Sequence, residues 1–241
     1  MRASAVLAPV ERRSTEPPAG LRAGAYQRVL HQLVRRELRM LGELAAWADP
    51  ADAAHTTALT RHADLVARVL LHHHSVERDL LWPALLRAVP DARRAAVRSE
   101  VDAWTARSAR VDAALRDLGT VARQWAVAGT ACARDTFSLA CLDVADAVDA
   151  HVAEEESRLL PLLAEHLADA EWCAVARAAR CPLPAREQLL VLGMALEVLG
   201  PTNRARLLAG LTPGARLAWR LRGRADYRAA VVSMRGAPPA R

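Results

Sequence analysis

His73 and Glu77 stand four residues apart, and His151 and Glu155 repeat the pair 78 residues later. The match extends beyond the pair. His73-His74-Ser75-Val76-Glu77-Arg78-Asp79-Leu80-Leu81-Trp82-Pro83 and His151-Val152-Ala153-Glu154-Glu155-Glu156-Ser157-Arg158-Leu159-Leu160-Pro161 align at the His, the Glu, the Leu two places before the proline, and the proline itself. On a helix, residues four apart lie one above the other, so each phrase offers an imidazole nitrogen and a carboxylate to one point in space. Neutral imidazoles with carboxylates suit iron, manganese and zinc. Burying two carboxylates without a cation costs on the order of several kcal/mol each, so two inward-facing copies predict a metal site.

Both phrases lie in sequence that predicts long helices. The first helix is expected over Leu21 to Trp47, with a buried seam of Gln27, Leu30/His31, Val34, Leu38, Leu41 and Ala45. Asp49-Pro50 reads as a cap and first-turn proline that open the second helix, whose seam is Leu59, His62, Val66, Val69, His73, Val76/Glu77, Leu80 and Ala84. Pro83 lacks an N–H, so it is expected to kink that helix or end its regular part, and Pro161 to do the same after the second copy. A third helix follows Pro90-Asp91 and runs to about Val127. Its seam of Val97, Val101, Trp104, Ser108, Val111, Leu115, Leu118, Ala122 and Trp125 alternates steps of four and three, with Ser108 as its one hydroxyl. The fourth runs from Ala131 to His166 on Cys141, Val144, Val148, His151, Glu155, Leu159 and Leu162. Long helices on short connections predict an all-α protein built as an antiparallel up-down four-helix bundle.

Around this bundle, residues 1–20 lack periodicity and read as a disordered segment, while 21–168 hold the bundle and 169–241 an Arg-rich helical extension. The extension divides into Ala170–Arg180, Arg186–Leu199, Thr202–Ala209 and Pro213–Met234. Breaks are expected at Cys181-Pro182-Leu183-Pro184, Gly200-Pro201, Gly210 and Gly223, and a frayed end from Gly236. Leu189, Leu190, Leu192, Met194 and Leu199 are apolar on more than one face, so these pieces are expected to dock on the bundle or on a partner.

Charge is divided along the chain. All 33 basic residues are Arg; residues 200–241 carry nine of them against the single acid Asp226, and the remainder is close to neutral. Without aromatic interleaving or a recognition motif, that tail reads as a solvated basic surface and not as a nucleic-acid interface. Cys132, Cys141, Cys173 and Cys181 lack paired spacing and read as small thiols in a reducing cytoplasm, with no signal peptide or membrane span in view. No protein partner is indicated.

The single histidines are less informative. His31 lies on the first seam and would give the first helix a ligand at the level of the second and fourth. His72 and His74 point about 100° to either side of His73 and read as solvated or supporting groups. His62 is eleven residues, or about 16 Å of helix rise, from His73 and too far for the same ion. His55 and His166 carry no signal.

Taken together, His31 with Arg35-Arg36-Glu37-Leu38, the block His72-His73-His74…Glu77…Leu81-Trp82-Pro83 and the block His151…Glu155-Glu156…Leu159-Leu160-Pro161 resemble the hemerythrin-like, His-His-Glu cation-binding family over roughly residues 22–168. The resemblance implies a four-helix bundle around a non-haem iron centre, with His31, His73, Glu77, His151 and Glu155 as ligands and the two carboxylates bridging. It also implies interaction with dioxygen, nitric oxide or peroxide for sensing, storage or protection. One family ligand is replaced: Ser108 stands where the third helix normally supplies a histidine, so a mono-iron or labile di-iron centre is expected, with Asp112 one turn on as a group that could approach. No acid or base for catalysis is identifiable. The alternative is a metal-depleted helical interaction module that uses the basic extension.

Overall fold

The computed structural model describes residues 18–179 and 182–237, and the described chain is helical throughout its regular structure. Most of the N-terminal segment, Cys181 and the end of the chain lie outside the described residues. Ala19 and Gly20, expected in the lead-in, are already helical.

Four long helices surround the buried polar residues: α1 (Ala19–Trp47), α2 (Ala53–Val76), α4 (Asp91–Ala128) and α5 (Ala131–Arg158), with the short α3 (Trp82–Ala88) between α2 and α4. α1 packs on α2 and α5, and α4 packs on the same two, which closes a ring. The register of partners runs in opposite senses across three of these contacts. On α1 and α5, His31 meets Glu156 while Arg39 meets Asp146. On α1 and α2, His31 meets His73 while Glu37 meets His62. On α4 and α5, Glu100 meets Arg158 while Trp125 meets Phe137.

Local signals set the helix ends. α2 begins later than the sequence suggested: Asp52 is its cap, accepting from the Ala54 and His55 amides at 3.0 Å. Asp49-Pro50 instead forms a turn, in which the Asp49 carbonyl accepts the Asp52 amide at 3.1 Å and proline occupies the position where its fixed φ fits. α4 stops at Gly129, whose φ of 58° is the left-handed conformation glycine tolerates, and Thr130 caps α5 through the Ala133 amide. Pro83 breaks the α pattern without ending the helix. A π turn over Glu77–Leu81 lets the Trp82 amide reach the Glu77 carbonyl, and the wider ring admits the proline. That extra residue rotates the following face, so Leu81 is buried where the periodicity pointed to Leu80. After the second phrase the helix is interrupted at Leu159 and resumes as α6 (Leu160–His166).

Two apolar clusters fill the interior. One gathers Leu38, Leu59, Val66, Leu115, Trp125 and Phe137; the other gathers Leu81, Trp82, Val101, Trp104, Leu159 and Leu163. Gln27 and His31 on α1, His73, His74 and Glu77 on α2, Ser108 and Asp112 on α4, and His151 and Glu155 on α5 lie near the boundary between these clusters, which sets them in one layer.

The extension comprises α7 (Asp169–Ala178), α8 (Ala185–Val198), α9 (Pro201–Gly210), α10 (Pro213–Ala218) and α11 (Arg224–Arg235). Its apolar residues join both clusters, as the mixed faces of α8 implied. Gly223 is not a break: it closes a second π turn, Trp219–Gly223, that joins α10 to α11. Gly193 admits the Tyr227 ring, since a Cβ there would lie 2.3 Å from it. Gly193→Ala is therefore expected to cost about 1–3 kcal/mol by overpacking, measured by chemical denaturation, with hydrogen exchange faster in α11 than elsewhere.

The same interface holds buried charge. Glu197, 3% exposed, accepts from Arg36 at 2.7 Å and Arg235 at 2.8 Å and from the Tyr227 hydroxyl. Burial alone would raise its pKa, yet the bonds from Arg36, Tyr227 and Arg235 hold it down to about 2. Its folded pKa is depressed, so its stabilisation is complete above the ordinary carboxylate range and is lost as pH falls from about 4.5 towards about 2. Glu197→Gln is expected to flatten this acid loss of stability; an unchanged acid profile would show that the network does not hold the extension.

Candidate metal centre

His31, His73, Glu77 and Glu155 bring one ligand atom each within 4.8 Å of one another, and all four side chains are buried. A cation with bonds of ~2.0–2.2 Å places opposite donors about 4.0–4.4 Å apart, so small adjustments bring these atoms to coordination distance. The Nε2 atoms of His31 and His73 are 3.3 Å apart. Glu155 Oε1 lies 3.4 Å from His31 Nε2, and Glu77 Oε1 lies 3.4 Å from His73 Nε2.

Neighbouring groups aim these donors. His31 Nδ1 is bonded to Glu156 Oε1 at 2.9 Å, which turns Nε2 inward. Gln27 Nε2 donates to Glu77, and Trp104 Nε1 donates to Glu155 Oε2 at 2.9 Å. The sequence put Gln27 and Trp104 on buried seams but gave no sign of either hydrogen bond.

The two motif carboxylates have opposite electrostatics. Burial, then the charge of Glu155, pushes the Glu77 carboxyl well above its usual range. Burial would raise Glu155 as well, but charged His31, 3.4 Å away, holds it well below its usual range. Burial would lower His31, and Glu155 and then Glu156 outweigh it, raising His31 to about 9. His73 is pushed well below 6.5 by burial and by charged His31. The metal-free site thus favours protons on His31 and Glu77, the positions a cation's charge would take over.

His151 adjoins this group without joining it. It is 3% exposed, its Nε2 lies 3.7 Å from Glu155 Oε2, and neither ring nitrogen has a hydrogen-bond partner. Glu77 Oε2 and Glu155 Oε1 are likewise buried without a hydrogen bond. Such orphaned acceptors are costly in a protein interior, and together with the donor set they fit a bound cation.

His74, expected to be solvated or supporting, is buried and bonds Asp112 Oδ1 through Nδ1 at 2.6 Å. Asp112 therefore approaches the layer through His74. Ser108 is fully buried at that level, with its hydroxyl donating to the Thr105 carbonyl at 3.1 Å. His62, too distant for the ion, bonds buried Glu37 at 2.7 Å. Periodicity offered no sign of the Glu37 pairing, because Glu37 sits beside the seam and its partners come from α2 and the extension. His72 is half-buried, and His55 bonds the Met234 carbonyl at 2.8 Å. Cys132, Cys141 and Cys173 are free thiols, of which Cys141 is buried and pushed up to about 12, while Cys132 is exposed.

Among the described residues no helix is long and apolar enough to cross a membrane. The chain has no significant match among curated proteins or solved structures. The model of the hemerythrin HHE cation-binding domain matches residues 26–163, which span every donor named above. With more than half of its length matched, the chain belongs to the hemerythrin HHE cation-binding domain family.

Proposed function

We propose that this chain binds iron through His31, His73, Glu77, His151 and Glu155, and that the iron interacts reversibly with dioxygen, nitric oxide or peroxide in sensing, storage or protection. The observation that carries this reading is the buried convergence of two imidazoles and two carboxylates within 4.8 Å. Manganese and zinc suit the same donors; iron is favoured because the ferrous ion binds dioxygen and nitric oxide directly. Bound iron would supply a change of oxidation state and an open coordination position. The chain's own residues do the rest. Glu156, Gln27 and Trp104 hold the donors in place, and the apolar clusters on either side keep water from the layer.

In this reading α1, α2, α4 and α5 form the antiparallel up-down bundle, residues 21–168 are the iron-binding unit, and 169–241 are an extension clamped to it. The site works in the reducing cytoplasm that the unpaired cysteines suit. Under anaerobic conditions the ferrous protein is expected to change its near-ultraviolet and visible absorption on addition of dioxygen or nitric oxide and to recover on their removal. A spectrum unmoved by either gas would overturn the small-ligand role.

A further inference from the structure

We infer that the chain builds a second metal position from His74, His151 and Glu155, with Asp112 fixing the His74 ring, so that α2 supplies the imidazole that α4 lacks at Ser108. The inference rests on the iron-binding reading above, and apart from the shared Glu155 it concerns residues outside the four-donor group.

Several observations place the position there. The His74 and His151 rings meet edge to face with centroids 5.1 Å apart. The Trp104 ring lies against both, at 5.9 Å and 5.6 Å, and closes the far side with apolar surface. His151 offers two buried nitrogens without hydrogen-bond partners, and Glu155 reaches towards it with Oε2 at 3.7 Å. Glu155 thus lies between the two sets of imidazoles, with Oε1 towards His31.

The His74 contact has the form that metal-binding histidines commonly take. A carboxylate on Nδ1 fixes that nitrogen as the donor and leaves the Nε2 lone pair for a metal. At 2.6 Å, Asp112 does this for His74, and Arg78, 3.8 Å from the other Asp112 oxygen, steadies the carboxylate. A buried His–Asp pair formed only for packing would account for His74 and Asp112. It would leave His151 without a partner, whereas a shared ion accounts for all three.

Ser108 makes the idea testable by exchange. It is buried on the same stripe of α4, one turn from Trp104 and one from Asp112, so an imidazole placed there faces the layer. The metal-free full chain and its variants would be dialysed anaerobically against ferrous iron and the bound iron counted by plasma mass spectrometry, with circular dichroism as the check on folding. The wild-type chain is expected to saturate at two ions, His74→Ala at one, and His74→Ala with Ser108→His at two again. Asp112→Asn is expected to weaken the second ion about 10–100-fold and leave the first unchanged. His74→Ala retaining two ions would overturn the inference, as would a double variant that stays at one. A wild-type chain that saturates at one ion would also overturn it while leaving the iron-binding reading intact. A wild-type chain that binds none would remove that reading and this one with it.

Discussion

Glu77→Gln is expected to abolish iron retention and at the same time to raise the stability of the metal-free protein by about 1–4 kcal/mol at neutral pH. The two effects have one cause. Without a cation, Glu77 is a buried carboxyl facing ionised Glu155, and burial together with that charge holds its pKa well above 4.5. A carboxyl raised in the folded state gives its full stability below the ordinary range and loses it as pH rises, so at pH 7 it weighs against folding. Glutamine keeps the acceptor for Gln27, presents an amide to Glu155 and carries no charge. It also removes a proposed metal ligand. Chemical denaturation of chelated protein, paired with metal analysis of the same preparation, reads both effects. A metal-free Glu77→Gln chain less stable than wild type would show that Glu77 is held by contacts of its own and is not waiting for a cation.

Glu155→Ala is expected to do more damage, and in both states. This carboxylate is ionised without metal because His31 is protonated beside it, and it is the acceptor for Trp104 Nε1 at 2.9 Å. Removing it leaves a buried imidazolium and an indole N–H facing a cavity, at a cost of about 3–5 kcal/mol. For a chain of this length that lowers the melting temperature by on the order of 10 °C, since 1 kcal/mol corresponds to roughly 2–4 °C. Iron retention is lost as well. Equal melting of the metal-free variant and wild type would contradict the His31–Glu155 pairing. The twin phrases look alike in sequence, yet the two glutamates have opposite effects on the empty site, because charged His31 pairs with Glu155 at 3.4 Å while Glu77 faces burial and the charge of Glu155.

That asymmetry marks the limit of what the sequence makes legible. Periodicity is local, and every seam residue expected on α1 and α4 is buried, including Ser108 and Gln27. Where the chain turns, the expected cap moved: Asp49 reads as the cap of the second helix, and the turn through Pro50 hands that place to Asp52. Leu80 failed as a seam position because a π turn changes the period by one residue. His74 was left between a solvated and a supporting role for a different reason. A helix in a closed ring has two neighbours, so consecutive residues can both be buried, His73 towards α1 and His74 towards α4. Glu37 and Glu197 could not be read at all, since Arg36, His62, Tyr227 and Arg235 reach them from three separate parts of the chain.

The extension gains a clear role from those contacts. Arg235 bonds Glu197 while lying 3.6 Å from Glu37, and Arg36 pairs with both carboxylates, so α11, α8 and α1 are tied by one set of charges. Glu37 lies on α1 between His31 and the end of that helix, and its partner His62 lies on α2, the helix of His73. The helices that carry His31 and His73 are therefore braced by the C-terminal residues from outside the layer.

Iron binding is tested most directly by the metal content of the full chain purified from iron-supplemented cells, measured by plasma mass spectrometry against His73→Ala prepared in parallel. Wild-type protein is expected to carry iron at one or two atoms per chain and the variant to lose at least the first. Wild-type protein free of any transition metal, or a variant that retains its full iron content, would contradict the account.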